Sequence, residues 1–319
     1  MQHASSQPTE ISGTPDTPQD PFALSLSKGS QRDDGGLDKL SPNGLWGVVN
    51  TGNTTRLLRL GAAALMFGLI MGSAFAQPPV FDAALRERID AFVESERRAS
   101  SIPGIALAIV NEGGATHVRG FGHDGRDHPI TGDTPFPIGS LTKSFTALLV
   151  RQAIDAGQRE ADAPVQRYLP WFRVADTEAS TRITLRHLLN QTSGFSRADG
   201  IAPLLRRGGA SIEATARGLG TVSLNRPVGE SFEYSNLNFV LLGAALQAVT
   251  AKPWNTLVQT QVFQPLLMKH SHTDHDAARP AGMTATHRMW FGRPVTHDAW
   301  LPPGFAPTGS LVASANDMS

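Results

Sequence analysis

Cysteine is absent from all 319 positions of the chain. That excludes a thiolate nucleophile, a zinc–thiolate centre, disulfides and a lipidated cysteine, and it leaves the redox compartment open. No charge sign is in excess, since 28 basic residues face 28 acidic ones. Nothing therefore marks a nucleic-acid partner or an acidic solvating tail. Tyrosine is scarce, at two residues. No internal repeat stands out. There are ten histidines but no G-x-S-x-G turn, so a hydrolase of the nucleophile-elbow type lacks its elbow. What remains is a chain with 40% hydrophobic residues, enough for an ordinary globular core in one large domain or two.

Residues 1–56 are rich in Ser, Thr, Pro, Gly, Asp and Asn and have no amphipathic period. Such composition does not bury enough apolar surface to offset chain entropy, so the segment reads as a disordered leader or as sequence upstream of a mis-set start. Residues 57–76 read as a signal peptide. Arg56 and Arg59 supply the basic flank, an uncharged apolar run follows, and Ala74-Phe75-Ala76 has small residues where signal peptidase reads them. An uncleaved membrane anchor and a buried helix are the alternatives, the run being close to the lower length limit for a span.

From residue 77 the chain reads as a folded domain. Phe81, Leu85, Ile89, Phe92 and Val93 recur at helical spacing. Pro103-Gly104 breaks the chain, IALAIV (105–110) reads as a buried strand, and THVRGFG pairs back on it as a hairpin. Gly120, Gly122 and Gly125 spell G-x-G-x-x-G, but a dinucleotide site needs a helix directly after the run, and HDGRDHPITGDTPFP starts none. The next strong helix begins near Ser140, with Leu141, Phe145, Leu148 and Leu149 as its stripe and Gly157 at its end. Residues 159–310 read as mostly helical, with no convincing later strand. The expected fold class is α/β plus α: an antiparallel sheet flanked by helices, with a mostly helical second domain.

Two Ser-x-x-Lys pairs occur, Ser25 with Lys28 and Ser140 with Lys143. The spacing alone is common. Ser25 and Lys28 lie in the polar leader with no helix to fix them, whereas residues three apart on a helix share a face. A serine at a helix start also has a backbone N–H free to meet an oxyanion. Alone, the second pair reads better as an N-cap serine beside a solvated lysine. Three further signals change that reading: Tyr234-Ser235-Asn236 directly before an apolar helix, Thr192-Ser193-Gly194 in HLLNQTSGF, and the surrounding phrases DTPFPIGSLTKSFTALL, LPWF, PVGESFEYSN, VFQPLLM and GSLVASANDMS.

In this order the motifs resemble the serine β-lactamase and penicillin-binding-protein-like hydrolases, on the class C-related side, from about Phe81 to the last residue. The resemblance implies acyl-enzyme chemistry without a cofactor. Ser140 would be the nucleophile, Lys143 its base, Tyr234 a partner in proton transfer with the leaving group, and Asn236 a substrate-binding residue that also orients Lys143. Substrates would be small molecules or peptidoglycan-derived: D-amino-acid peptides, β-lactams or small esters. The protein would be periplasmic or secreted, with membrane association only through the N-terminal apolar segment. The contrasting reading is an inactive relative that binds cell-wall peptide or a membrane-anchored sensor. Two departures stand out. Leu267 replaces the glycine of the family's Pro-Leu-Gly-Met turn. The family's third box and last sheet strands lie downstream of the segment like GSLVASANDMS, so a sheet lacking its C-terminal strands is expected within 77–319. KHSHTDHD (269–276) holds His270, His272, Asp274, His275 and Asp276. It reads as a surface loop rather than a metal site, because no element fixes the ligand geometry, and His187 reads as packing.

Overall fold

The computed structural model describes residues 81–111, 114–157, 159–205, 209–297 and 300–319, all within the compact unit Phe75–Ser319. The leader, the apolar segment with the cleavage site expected at Ala74–Ala76 and the Ser25–Lys28 pair lie outside the described residues. No helix among the described residues is long and apolar enough to cross a membrane.

Helix α1 (Ala83–Ala99) starts where the Asp82 carboxylate accepts from Leu85 N, and ends with Arg97 and Arg98, cations at the negative end of the helix dipole. Its Asp90 is buried against the next hairpin. Burial alone would raise this carboxyl, but His117 Nε2 at 2.7 Å and Arg119 Nη1 hold it below its ordinary range. Leu85, Ile89 and Val93 are half-buried as the helical stripe requires, while Phe92 is exposed.

Strands β1 (Gly104–Asn111) and β2 (Gly114–Gly122) form the expected antiparallel hairpin, with a bulge between Ile109 and Val110. The G-x-G-x-x-G run serves close backbone approach. A Cβ on Gly120 would lie 1.9 Å from the Ile130 carbonyl oxygen, and one on Gly122 (φ +69°) 2.1 Å from that of Pro103. The glycines let residues 129–131 cross tightly over the hairpin, and His123 bridges to Pro129.

Strand β3 (Phe136–Pro137) leads through the 3₁₀ turn Gly139–Leu141 into α2 (Thr142–Asp155). The helical region follows, with α3 (Thr177–Arg182), α4 (Leu185–Leu189), α5 (Arg197–Ile201), α6 (Ile212–Arg217), α7 (Asn236–Thr250) and α8 (Trp254–Val258). Asp176, Thr184, Ser196 and Ser211 cap α3 to α6 with their side-chain oxygens, which is why helices this short begin where they do. His187 closes a reciprocal box with Thr184, so its role is a cap. Helix α7 is buried all round from Asn236 to Leu246 and forms the axis of the core, against which Trp254, Phe172, Phe195, Phe263 and Phe305 pack.

The expectation of no later strand is corrected. After α9 (His275–Ala278), β4 (Thr286–Trp290) and β5 (Arg293–His297) form a hairpin, and after α10 (Ala306–Gly309), β6 (Val312–Ala313) pairs with β3. The β4–β5 strands are mostly exposed on both faces, so they carry no alternation to read. Their signal is the turn: Phe291 (φ +46°) and Gly292 (φ +76°) both take left-handed conformations, as a two-residue hairpin loop demands. The KHSHTDHD segment is more than the surface loop expected: it is a fastening. His272 pairs through its backbone with Val312, Asp317 accepts from His270 N and Ser271 Oγ, and Asp274 caps α9. Among the described residues no group of His, Asp or Glu is disposed to hold a metal.

Leu267 occupies a left-handed turn at φ +57° and is 72% exposed. A side chain there costs roughly 1–2 kcal/mol against glycine, and little apolar burial compensates. Leu267→Gly should therefore stabilise the protein by about 0.5–1 kcal/mol after allowing for the looser unfolded chain. Leu267→Ala, which keeps the strained Cβ, should not. Urea unfolding of the three proteins checks it, and equal midpoints for Leu267→Gly and Leu267→Ala would refute the strain.

Candidate active site

Ser140 sits in the 3₁₀ turn at the head of α2, exposed, while Lys143 one turn later is 7% exposed. Gly139 precedes the serine at φ +51°, a conformation that favours glycine. Lys143 Nζ lies 3.1 Å from Ser140 Oγ, and Tyr234 OH lies 2.7 Å from the same oxygen. Three of the four residues named from sequence thus converge on one atom. The Ser140 backbone N–H donates to no backbone carbonyl among the described residues, which leaves it available to an oxyanion.

Burial takes the Lys143 ammonium out of water and lowers its pKa from the ordinary 10.5 to about 7. No carboxylate opposes this, since the neighbours are the rings of Tyr234, at 4.9 Å from Nζ to centroid, and Phe239, at 5.8 Å. One N–H of the amine goes to the Thr308 carbonyl at 2.8 Å. A neutral amine held this way has its lone pair free to face Ser140.

Asn236, the fourth residue, is buried at the start of α7, and its Nδ2 donates to the Gly200 carbonyl at 2.9 Å. Among the described residues no hydrogen bond joins it to Lys143; the Thr308 carbonyl orients the amine instead.

The loop bearing Tyr234 is fixed from below by Gln191, which sequence reasoning passed over. Gln191 is buried, takes φ +60°, and accepts at Oε1 from Ser235 N at 2.9 Å and from Asn238 Nδ2. Its own carbonyl accepts from Glu233 N. Ser193 Oγ donates to Asn238 Oδ1. A Cβ on Gly194 (φ +91°) would lie 2.3 Å from the Arg226 carbonyl oxygen. The Thr192-Ser193-Gly194 motif therefore acts as the seat of the tyrosine loop. The motif itself was legible; the left-handed glutamine beside it gives no signal in composition or period.

The other contribution missed from sequence is the segment 305–313. Thr146 Oγ1 donates to the Pro307 carbonyl at 2.9 Å, Leu311 N donates to Thr142 Oγ1 at 3.2 Å, and Ile138 N donates to the Leu311 carbonyl. α10 thus lies along the buried face of α2, and Gly309 comes close enough to Gly139 that a Cβ would stand 3.8 Å from its carbonyl carbon.

Residues 85–319 match the model of the Beta-lactamase family. Penicillin-binding protein 4 of Amycolatopsis lactamdurans is 29% identical over 244 residues, 75% of this chain and 62% of its own. Protein flp of Staphylococcus aureus (strain MRSA252) is 28% identical over 235 residues, 73% of this chain and 47% of its own. The chain thus spans about half to two thirds of the length of these curated relatives. Among solved structures, the D-amino acid amidase of Ochrobactrum anthropi SV3 complexed with L-phenylalanine superposes with a TM-score of 0.65 at 24% identity, covering 74% of this chain and 68% of that one. The penicillin-binding protein homologue of Pyrococcus abyssi gives 0.62 at 24% identity, covering 73% and 54%. Those two likenesses speak for the fold, and with the family model over most of the chain they give one conclusion: the chain belongs to the Beta-lactamase family.

Proposed function

We propose that this is an exported serine hydrolase that transfers acyl groups through an ester on Ser140. The observation that carries the reading is the exposed Ser140 hydroxyl, 3.1 Å from a buried amine whose pKa is lowered to about 7 and 2.7 Å from a tyrosine hydroxyl. Neutral Lys143 removes the Ser140 proton as Oγ bonds to the substrate carbonyl carbon. The negative charge on the carbonyl oxygen meets the free Ser140 N–H. The intermediate collapses by breaking the bond to the leaving nitrogen or oxygen, which takes its proton from Lys143 through Tyr234. Water then attacks the ester with the same groups as base, releasing the acid and restoring Ser140. Substrates are D-amino-acid peptides, β-lactams or small esters. A penicillin-binding protein among the similar proteins favours the first two classes.

Incubation with an activated ester or a β-lactam should leave one covalent adduct by intact mass, and Ser140→Ala should leave none. An adduct on Ser140→Ala would sink the assignment. Lys143→Ala should slow acylation by about 10²–10⁴-fold. Because the base works only when neutral, the acylation rate should climb as pH rises through about 7. A rate flat from pH 5 to 9 would exclude Lys143 as the base.

The same burial has a stability consequence. The unfolded lysine keeps its proton up to 10.5, while the folded one gives it up near 7. Below pH 7 the folded state therefore holds a buried cation, and stability rises as pH climbs from 7 towards 10.5. Lys143→Met should be more stable than the unaltered protein by up to ~5 kcal/mol at pH 6, the equivalent of a fall from 10.5 to about 7. That advantage should shrink towards zero near pH 10. A pH-independent difference in unfolding midpoints would contradict the desolvated base.

Export rests on the 57–76 segment. Protein recovered from periplasm or medium should begin at Gln77; an intact leader in the membrane fraction would favour an anchor.

A further inference from the structure

Lys143 and Thr146 lie three residues apart on the buried face of α2, and each donates to one of two consecutive carbonyls. Lys143 Nζ reaches Thr308 O at 2.8 Å and Thr146 Oγ1 reaches Pro307 O at 2.9 Å. Both carbonyls belong to the four-residue α10, too short to use them internally; its recorded closing bond runs from Ser310 N to Ala306 O. Behind Thr146 stands Trp254 of α8, 1% exposed, with Nε1 3.1 Å from Thr146 Oγ1. The indole N–H only donates and a carbonyl only accepts. The Thr146 hydroxyl, caught between them, has one orientation: it accepts from Trp254 and donates to Pro307.

We infer that Trp254 and Thr146 are positioning residues for the general base: their directed relay pins the Pro307–Thr308 carbonyls, and through Thr308 it aims the Lys143 amine at Ser140. The inference rests on the proposed role of Lys143 as base and adds what aims it. With Thr308 O taking one N–H, the lone pair of the neutral amine is left to face Ser140 Oγ. Without the Thr146 hydroxyl, the Trp254 N–H and the Pro307 carbonyl are both buried without a partner, and such groups are costly enough to shift a short segment. The Thr308 carbonyl then withdraws from Lys143. The protonated amine loses its acceptor, so the Lys143 midpoint falls, and the neutral amine loses its direction, so acylation slows. The groups facing Nζ are the Tyr234 phenol and the Phe239 ring, with the Arg197 guanidinium 5.9 Å from the Tyr234 ring.

The test uses the full chain labelled with ¹³C at lysine Cε, the Lys143 resonance being assigned by its loss in Lys143→Arg. Titration of that resonance and the rate of adduct formation with an activated ester are measured for Thr146→Val, Thr146→Ser and Trp254→Phe. Thr146→Val keeps the volume and removes the hydroxyl. It should lower the Lys143 midpoint by half a pH unit or more and slow acylation roughly tenfold. Thr146→Ser should restore both, and Trp254→Phe should shift both in the direction of Thr146→Val. A midpoint in Thr146→Val that is unchanged or raised overturns the inference, as does an equal loss in Thr146→Ser. A variant that merely loosens the core would melt earlier with its midpoint unmoved. The titration needs no turnover, so an unaltered protein that forms no adduct counts against the proposed function alone.

Discussion

The desolvation of one amine sets the conditions for everything around Ser140. A lysine in water is a cation and no base at neutral pH. Lys143 has its pKa lowered to about 7 because the face of α2 that carries it is closed by α7, α8 and α10. That closure is why Thr142 and Thr146, its neighbours on the helix, are wholly buried and bonded to the 305–313 segment. Ser140 lies in the opposite environment. Placing Ser140 in the 3₁₀ turn before α2, after a left-handed glycine, lets one residue stay in solvent while another three positions on is dry.

The sequence reading reached the helix α1, the first hairpin, the Ser140 helix and the mostly helical stretch, because each carries a period or a break fixed by local chemistry. It singled out Ser140, Lys143 and Tyr234 because the motifs are short and their order is specific, and the three side chains meet. It missed the β4–β5 hairpin, since strands exposed on both faces lose the alternation that marks a sheet. It also missed what holds the site. Gln191 acts through a left-handed backbone and a buried amide, and Thr308 acts through a carbonyl that every residue possesses. Neither leaves a trace in residue type.

The same contrast explains the glycine run at 120–125. As a string it imitates a nucleotide loop; in the fold Gly120 and Gly122 are set by neighbouring backbone, at Ile130 and at Pro103, and Gly125 by the His287 ring. A motif is therefore informative when its context demands side-chain chemistry, as at Tyr234, and ambiguous when the demand is for the absence of a side chain.

The hydrogen bond from Lys143 to Thr308 spans 165 positions of sequence, and this long reach governs timing. A chain emerging from the ribosome presents α2 long before residue 308. Until the late segment arrives, Lys143 is wetted, charged and inert as a base. Drying of the Lys143 pocket thus waits on residues far along the chain, and a chain that lacks the 305–313 segment presents Ser140 beside a solvated lysine. The order in which the residues are made thus decides when Lys143 leaves water.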